Sequence, residues 1–357
     1  MTKADFEQYS TGFAVEAISG GRQAVIRDCR GLPSVMVRIP KFYLDQVIDG
    51  APHIPHPAFV VDGKERSEIW ISKYLNVLRD GLAYSLPAQD PVIDVEFDDA
   101  MKACSDKGPG WHLMTNAEWA AIALWCRKAG KMPRGNNMDA NDLTCPWEYG
   151  VKATEDPEEY RTLTGTGPDS WNHDGSPWGI ADLNGNIWEW LDGLKLINGR
   201  IFVHENNNYG TGNIEGCTDG WIDTGLYFDN TEPGDDNQAF HRVAGHPIIS
   251  DTRENITYTG GDEGKLHGVS CMPFEELEAK PGVEVPELFK YLALYPADPG
   301  DHGRDGLLVR NYGERVGLRG GRWQWGEEAG VFCLALGYQH RGPDSRIGFR
   351  VAYDSQA

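Results

Sequence analysis

The part of this chain that most constrains its fold is the C-terminal end, residues 316–353, which reads VGLRGGRWQWGEEAGVFCLALGYQHRGPDSRIGFRVAY. Both ends read as strands. The first, 316–319, runs into the pair Gly320-Gly321, and the last, 347–351, alternates Ile347, Phe349 and Val351. Paired glycines predict a bulge or a close backbone approach, because only glycine adopts those conformations cheaply. Val331, Phe332, Leu334 and Leu336 supply strand-type packing between the two ends. The rest of the middle has no period. Its Arg322, Gln324, Trp325, Cys333, Ala335, Tyr338, His340, Asp344, Ser345 and Arg346 describe either a plain surface loop or a displayed binding region on a rigid frame.

Three motifs in chain order carry a family resemblance. Residues 108–119 read GPGWHLMTNAEW, residues 179–190 read GIADLNGNIWEW, and Arg319-Gly320-Gly321-x-Trp323 is followed by Gly348-Phe349-Arg350. Together they resemble the formylglycine-generating-enzyme branch of the C-type lectin fold, with Leu113-Met114-Thr115 where that family usually has Leu-Pro-Thr. The resemblance implies an α+β C-type lectin fold of the formylglycine-generating-enzyme/sulfatase-modifying-factor subtype, sheet-rich with two helices and long inserts. It divides the chain into a lead-in, 1–30, and a lectin-like domain, 31–357, carrying an insertion over 191–310 and a variable ligand-binding region over 318–353.

Within that branch the C-terminal end is most similar to the variable proteins of diversity-generating retroelements, including phage tropism determinants. Their endings run RGG-x-W, then A-G-V-F-x-L-x-L, a varied segment and I-G-F-R. In such systems template adenines, often in Asn codons, are randomised. That chemistry cannot produce Lys, Gln, Glu, Trp or Met. Cys333, Ala335, Gly337, Tyr338, His340, Gly342, Pro343, Asp344, Ser345 and Arg346 are all reachable from such a codon. Gln339 is not, and neither are Gln324, Trp325, Glu327 and Glu328, which are framework or derive from other codons. The resemblance thus implies a ligand-binding patch of Arg322 and the reachable residues, with Gln324 and Trp325 at its edge. Tyr and Trp supply rigid contact area and Arg, Asp, His and Ser supply directional polar contacts, as in antibody paratopes. The implied ligand is a protein or glycan on a host or neighbouring cell surface, with a homo-oligomer or many copies on one particle raising avidity.

Composition narrows the partners. A formal net charge of -21, from Asp+Glu 54 against Lys+Arg 33, argues against phosphate-mediated nucleic-acid binding and against an anionic membrane surface. No apolar run is long enough for membrane insertion. The opening MTKADFEQYSTGF lacks a charged-then-apolar leader, so the expectation is a protein made in the cytoplasm without a signal peptide, with a virion (tail) or surface-associated location reached by assembly. Seven cysteines without a CxxC pair read as mostly buried thiols rather than a disulfide framework.

Along the chain, Val35 to Ile39 alternate as a strand that should continue through Phe42-Tyr43-Leu44, and 68–74 reads as another strand. A helix is expected over 95–105 from the spacing of Phe97, Ala100, Met101 and Cys104. A second opens at the capping-box pair Thr115 and Glu118 and ends near Gly130. Asn198-Gly199 predicts a hairpin turn between 194–197 and 200–203, and 286–292 a short helix. At the 182–190 turn, carboxylate and carbonyl oxygens converge after a glycine, the donor set hard cations prefer. In related enzymes a structural calcium sits there, which here would be held by Asp182, Gly185, Ile187 and Glu189. No other cofactor is required.

The residues speak against known chemistries of the family. The two cysteines that hold copper in formylglycine-generating enzymes correspond to Trp325 and Gly330, leaving Cys333 alone. No HExxH, P-loop or GxSxG is present. The expectation is a non-enzymatic ligand- or receptor-binding protein. The alternative is a sulfatase-modifying-factor-like enzyme, or an accessory protein, that binds a peptide substrate.

Overall fold

A computed structural model describes residues 12–211, 217–234, 243–257, 268–342 and 344–357. Two sheets carry the fold. The larger has nine strands, in the order Pro247–Ser250, Trp221–Asn230, Arg200–His204, Trp188–Ile197, Glu314–Gly320, Gly330–Tyr338, Gly306–Val309 and Ser270–Pro273, with Ile347–Phe349 added in parallel to Trp188–Ile197. The smaller has five, in the order Gln23–Arg27, Pro33–Pro40, Glu68–Ser72, Val351–Tyr353 and Trp111–Leu113. The architecture is α+β and sheet-rich, with the principal helices at Phe97–Ser105 and Asn116–Lys128.

The local signals explain most elements. Thr115 caps the second helix: its hydroxyl accepts from the Glu118 N–H at 3.2 Å while Glu118 accepts from the Thr115 N–H at 2.9 Å. Asn198 (φ 51°) and Gly199 (φ 80°) make a two-residue turn with both positions left-handed, the type-I′ pattern that matches strand twist. The expected continuation of the Pro33–Pro40 strand through Phe42-Tyr43-Leu44 does not form. Pro40 ends the ladder, and Leu44–Gln46 is a 3-10 turn closed by the Gln46 carboxamide on the Tyr43 N–H at 2.8 Å. Gln23–Arg27, inside the stretch read as lead-in, pairs as an edge strand with Pro33–Pro40. The 191–310 stretch supplies Arg200–His204, Trp221–Asn230, Pro247–Ser250, Ser270–Pro273 and Gly306–Val309 to the larger sheet, extending it on both sides.

The C-terminal segment ties the sheets together. Ile347–Phe349 belongs to the larger sheet, Val351–Tyr353 to the smaller, and Arg350 sits fully buried at the crossing. There it makes a two-pronged pair with Glu189, both contacts at 2.9 Å, and donates to the carbonyls of Ser72, Lys73 and Ala181. Gly348 is needed beside it, because a Cβ there would meet the Val92 carbonyl at 2.3 Å. On one face of the larger sheet Phe332, Leu334 and Leu336 pack with Trp119, Ile122 and Ala123 of the second helix. On the other, Trp190, Leu318 and Phe349 pack with Phe97 and Ala100 of the first. Among the described residues no helix is long and apolar enough to cross a membrane.

Candidate ligand-binding site

The expected patch divides into exposed and buried halves. Arg322, Trp325, Tyr338, Asp344, Ser345 and Arg346 are half-buried, and Gln324 and Gly342 are exposed. The Arg322 guanidinium lies 5.3 Å from the Trp325 ring and donates to Gln324 Oε1 at 2.9 Å. Trp325 in turn meets Trp188 edge to face at 5.3 Å, so the WEW motif supports this edge from beneath. Tyr338 packs edge-on to Trp190 at 6.4 Å, and its hydroxyl lies 3.5 Å from Asp344. Arg346 grips Asp344 through both guanidinium arms, at 2.6 and 2.5 Å. Burial works against the Asp344 carboxylate, but Arg346 outweighs it and holds the carboxyl below its ordinary value. Burial, and then the nearby Arg346 charge, lower the Arg322 pKa. The result is a preorganised surface of two arginines, one carboxylate and two aromatic rings.

Cys333, Ala335 and Gly337 do not face solvent. Cys333 is 0% and Ala335 3% exposed, in the core with Trp190 and Leu318. Their strand, Gly330–Tyr338, lies between Glu314–Gly320 and Gly306–Val309 and is covered on both faces, so alternate positions have no open side. Burial pushes the Cys333 thiol well above its ordinary pKa. His340 is also buried, at 3%. Its Nδ1 lies 3.1 Å from Asp98, and its carbonyl accepts from the Phe97 N–H at 3.1 Å, so it fastens the segment to the first helix. Pro343 lies outside the described residues.

The calcium set fares differently again. Both oxygens of Glu189 are taken by Arg350, and Asp182 Oδ2 accepts from the Gly165 N–H at 2.8 Å. The Gly185 N–H donates to the Gly320 carbonyl at 2.8 Å, so this turn serves to seat the glycine pair. Arg350 supplies the positive charge that a calcium ion would bring, and the residues do not fit the metal. Among the described residues no group of three or more His, Cys, Asp or Glu is arranged to hold a metal ion.

Sequence reasoning passed over one contributor, the loop from residue 137 onward. The Gly326 N–H donates to the Asn137 carbonyl at 2.9 Å and the Asp139 N–H to the Trp323 carbonyl at 2.8 Å. This loop therefore borders the Arg322–Trp325 edge. Its signal was available in the two aromatic residues, Trp147 and Tyr149, set in an otherwise turn-forming segment.

Residues 11–217, more than half of the chain, match the family model described as the sulfatase-modifying factor enzyme 1-like domain. The matched residues end before the C-terminal patch. No curated protein sequence matches the chain. Among solved structures it is similar to PvdO from Pseudomonas aeruginosa, 14% identical over 93% of this chain and 98% of that one, with a TM-score of 0.34. It is similar to Treponema denticola variable protein 1 at 13% identity, with the same coverage and TM-score. The M1 variant of the major tropism determinant is 12% identical over 90% of this chain and 63% of that one, with a TM-score of 0.33.

Proposed function

The chain belongs to the sulfatase-modifying factor enzyme 1-like family, and from that premise we propose that it is a non-enzymatic binding protein. Its C-terminal end presents a site diversified by adenine mutagenesis. The observation that carries this reading is the half-exposed cluster of Arg322, Trp325, Tyr338, Asp344 and Arg346. Aromatic and guanidinium groups of this kind dominate binding hot spots, and here they are held in place by Trp188, Trp190 and the Arg346–Asp344 pair. The residues that would hold copper in a formylglycine-generating enzyme are Trp325 and Gly330, and the one thiol nearby, Cys333, is sealed in the core. The ligand is a protein or glycan on a cell surface. The paratope-like chemistry of this patch suits that use.

Family membership itself favours a second reading, an enzyme or accessory protein acting on a peptide. One experiment separates the two. The full chain, labelled with a fluorophore, is titrated onto a panel of intact bacterial cells beside the R322A/Y338A/R346A variant. The binding reading expects the variant to lose about tenfold or more in affinity while it keeps its fold, read by circular dichroism at the temperature of the titration. Equal binding by both proteins, together with thiol-dependent oxygen consumption, would transfer support to the enzyme reading.

A further inference from the structure

We infer that residues 138–159 form a second half of the binding face and that this half takes a basic, arginine-bearing polypeptide segment. The inference rests on the reading of the C-terminal cluster as a ligand site and names the chemistry of its partner. Of the ten large hydrophobic side chains exposed among the described residues, five, Met138, Leu143, Trp147, Tyr149 and Val151, fall in this one loop. Trp147 is 74% and Tyr149 67% exposed. Large apolar groups clustered in the open mark interaction sites.

The loop holds those rings out on a stiff base. Asn141 bridges to both Met138 and Tyr149, and the Asp142 carboxylate accepts from the N–H groups of Thr144 and Cys145, each at 2.9 Å. Arg134 clamps Glu148, the residue between the two aromatics, through two contacts at 2.9 and 2.5 Å. The rings are thereby presented at little conformational cost to a partner. The base of the loop adjoins the C-terminal cluster, since Asp139 and Asn137 are bonded to Trp323 and Gly326.

Charge selects the occupant. Glu155, Asp156 and Glu158, which follow the rings along the chain, are exposed and outnumber the one exposed cation of the stretch, Lys152, whose ammonium sits 3.9 Å over the Tyr160 ring. Glu327 of the C-terminal segment is exposed as well. Aromatic faces attract cations, and carboxylates at the rim pair with them, so the chemistry fits a guanidinium that can stack and hydrogen-bond at once. A second copy of this chain would bring the same carboxylates against themselves, on a molecule whose net charge is -21. An uncharged glycan could stack on the same rings but would leave the acidic rim unused.

The test is a displayed library of random peptides panned against the immobilised full chain. Synthetic copies of the selected peptides are then titrated by fluorescence anisotropy at low and high salt. The inference expects arginine enrichment and weakening at high salt. It also expects a loss of about tenfold or more in W147A/Y149A, with the melting temperature unchanged because both side chains are exposed. Failure to recover binding peptides, peptides without basic enrichment, or binding to a neutral glycan array that W147A/Y149A abolishes would each overturn it. If R322A/Y338A/R346A weakens the peptides and W147A/Y149A does not, the loop inference falls while the C-terminal site stands. The reverse pattern keeps the loop and removes the C-terminal site.

Discussion

Cys333 and Ala335 are where residue-level reasoning and structure part. An alternating x-Leu-x-Leu run in a half-buried strand puts x outward. Here the strand is interior and covered on both faces, which periodicity alone does not reveal. Two outcomes follow. An Ala335→Phe change has to overpack the Trp190 core and should cost about 1–3 kcal/mol, read as a lower urea midpoint at unchanged slope. An unchanged midpoint would return Ala335 to the surface. In the native protein a thiol reagent should label the exposed Cys29 and leave the buried Cys333 untouched until the chain unfolds. Prompt labelling of Cys333 would contradict its placement. That Arg322, Tyr338, Asp344 and Arg346 lie partly open was legible through the resemblance of the C-terminal end to variable proteins. The fastening role of His340 was not, since its partner Asp98 lies far away in the chain and only the tertiary fold brings it near.

At the scale of elements, short-range signals did well. The Asn198-Gly199 hairpin and the Thr115–Glu118 cap are decided by neighbours within a few residues, so the sequence contains their whole cause. The 182–190 turn was harder to read, because Glu189 meets its partner Arg350 only when the two sheets close on each other. Arg350→Met leaves Glu189 buried and unpaired, and should cost about 3–5 kcal/mol in chemical denaturation. Replacing Glu189 by Leu in the same chain should recover part of that loss. With Arg350 in place, millimolar calcium should leave the melting temperature of the wild type unmoved. A rise on adding calcium, reversed by a chelator, would contradict the assignment of Arg350 as the cation of this turn.

For the whole molecule, buried histidines contribute a loss of stability in acid. Burial pushes His56, His173 and His302 each down to about 4, whereas an unfolded imidazole titrates near about 6.5. Between those values the unfolded chain binds more protons, so stability is intact above about pH 6.5 and is lost as pH falls toward about 4. His56 alone contributes at most about 3 kcal/mol to this loss. The urea midpoint of His56→Leu should gain on that of the wild type as pH falls from 7 to 4.5, a comparison that cancels the opposing contribution of the buried Asp182, Asp192 and Asp305, whose pKa values burial raises. A difference between the two proteins that stays constant with pH would show that the His56 imidazole is solvated in the native state. The sheet-rich class and the C-terminal frame could be read from the chain in advance. The way 191–310 extends the larger sheet could not, because its strands pair with partners remote in sequence.

The measurement that bears most directly on a diversified binding site is the DNA sequence flanking this gene, searched for a near copy of the codons from Gly321 to Arg350. The binding reading predicts such a copy beside a reverse transcriptase. It should differ from the gene almost only at adenines, with the differences gathered in the codons of surface residues such as Arg322, Tyr338, Asp344, Ser345 and Arg346. The absence of any copy, or a copy whose differences fall on all bases alike, would contradict it.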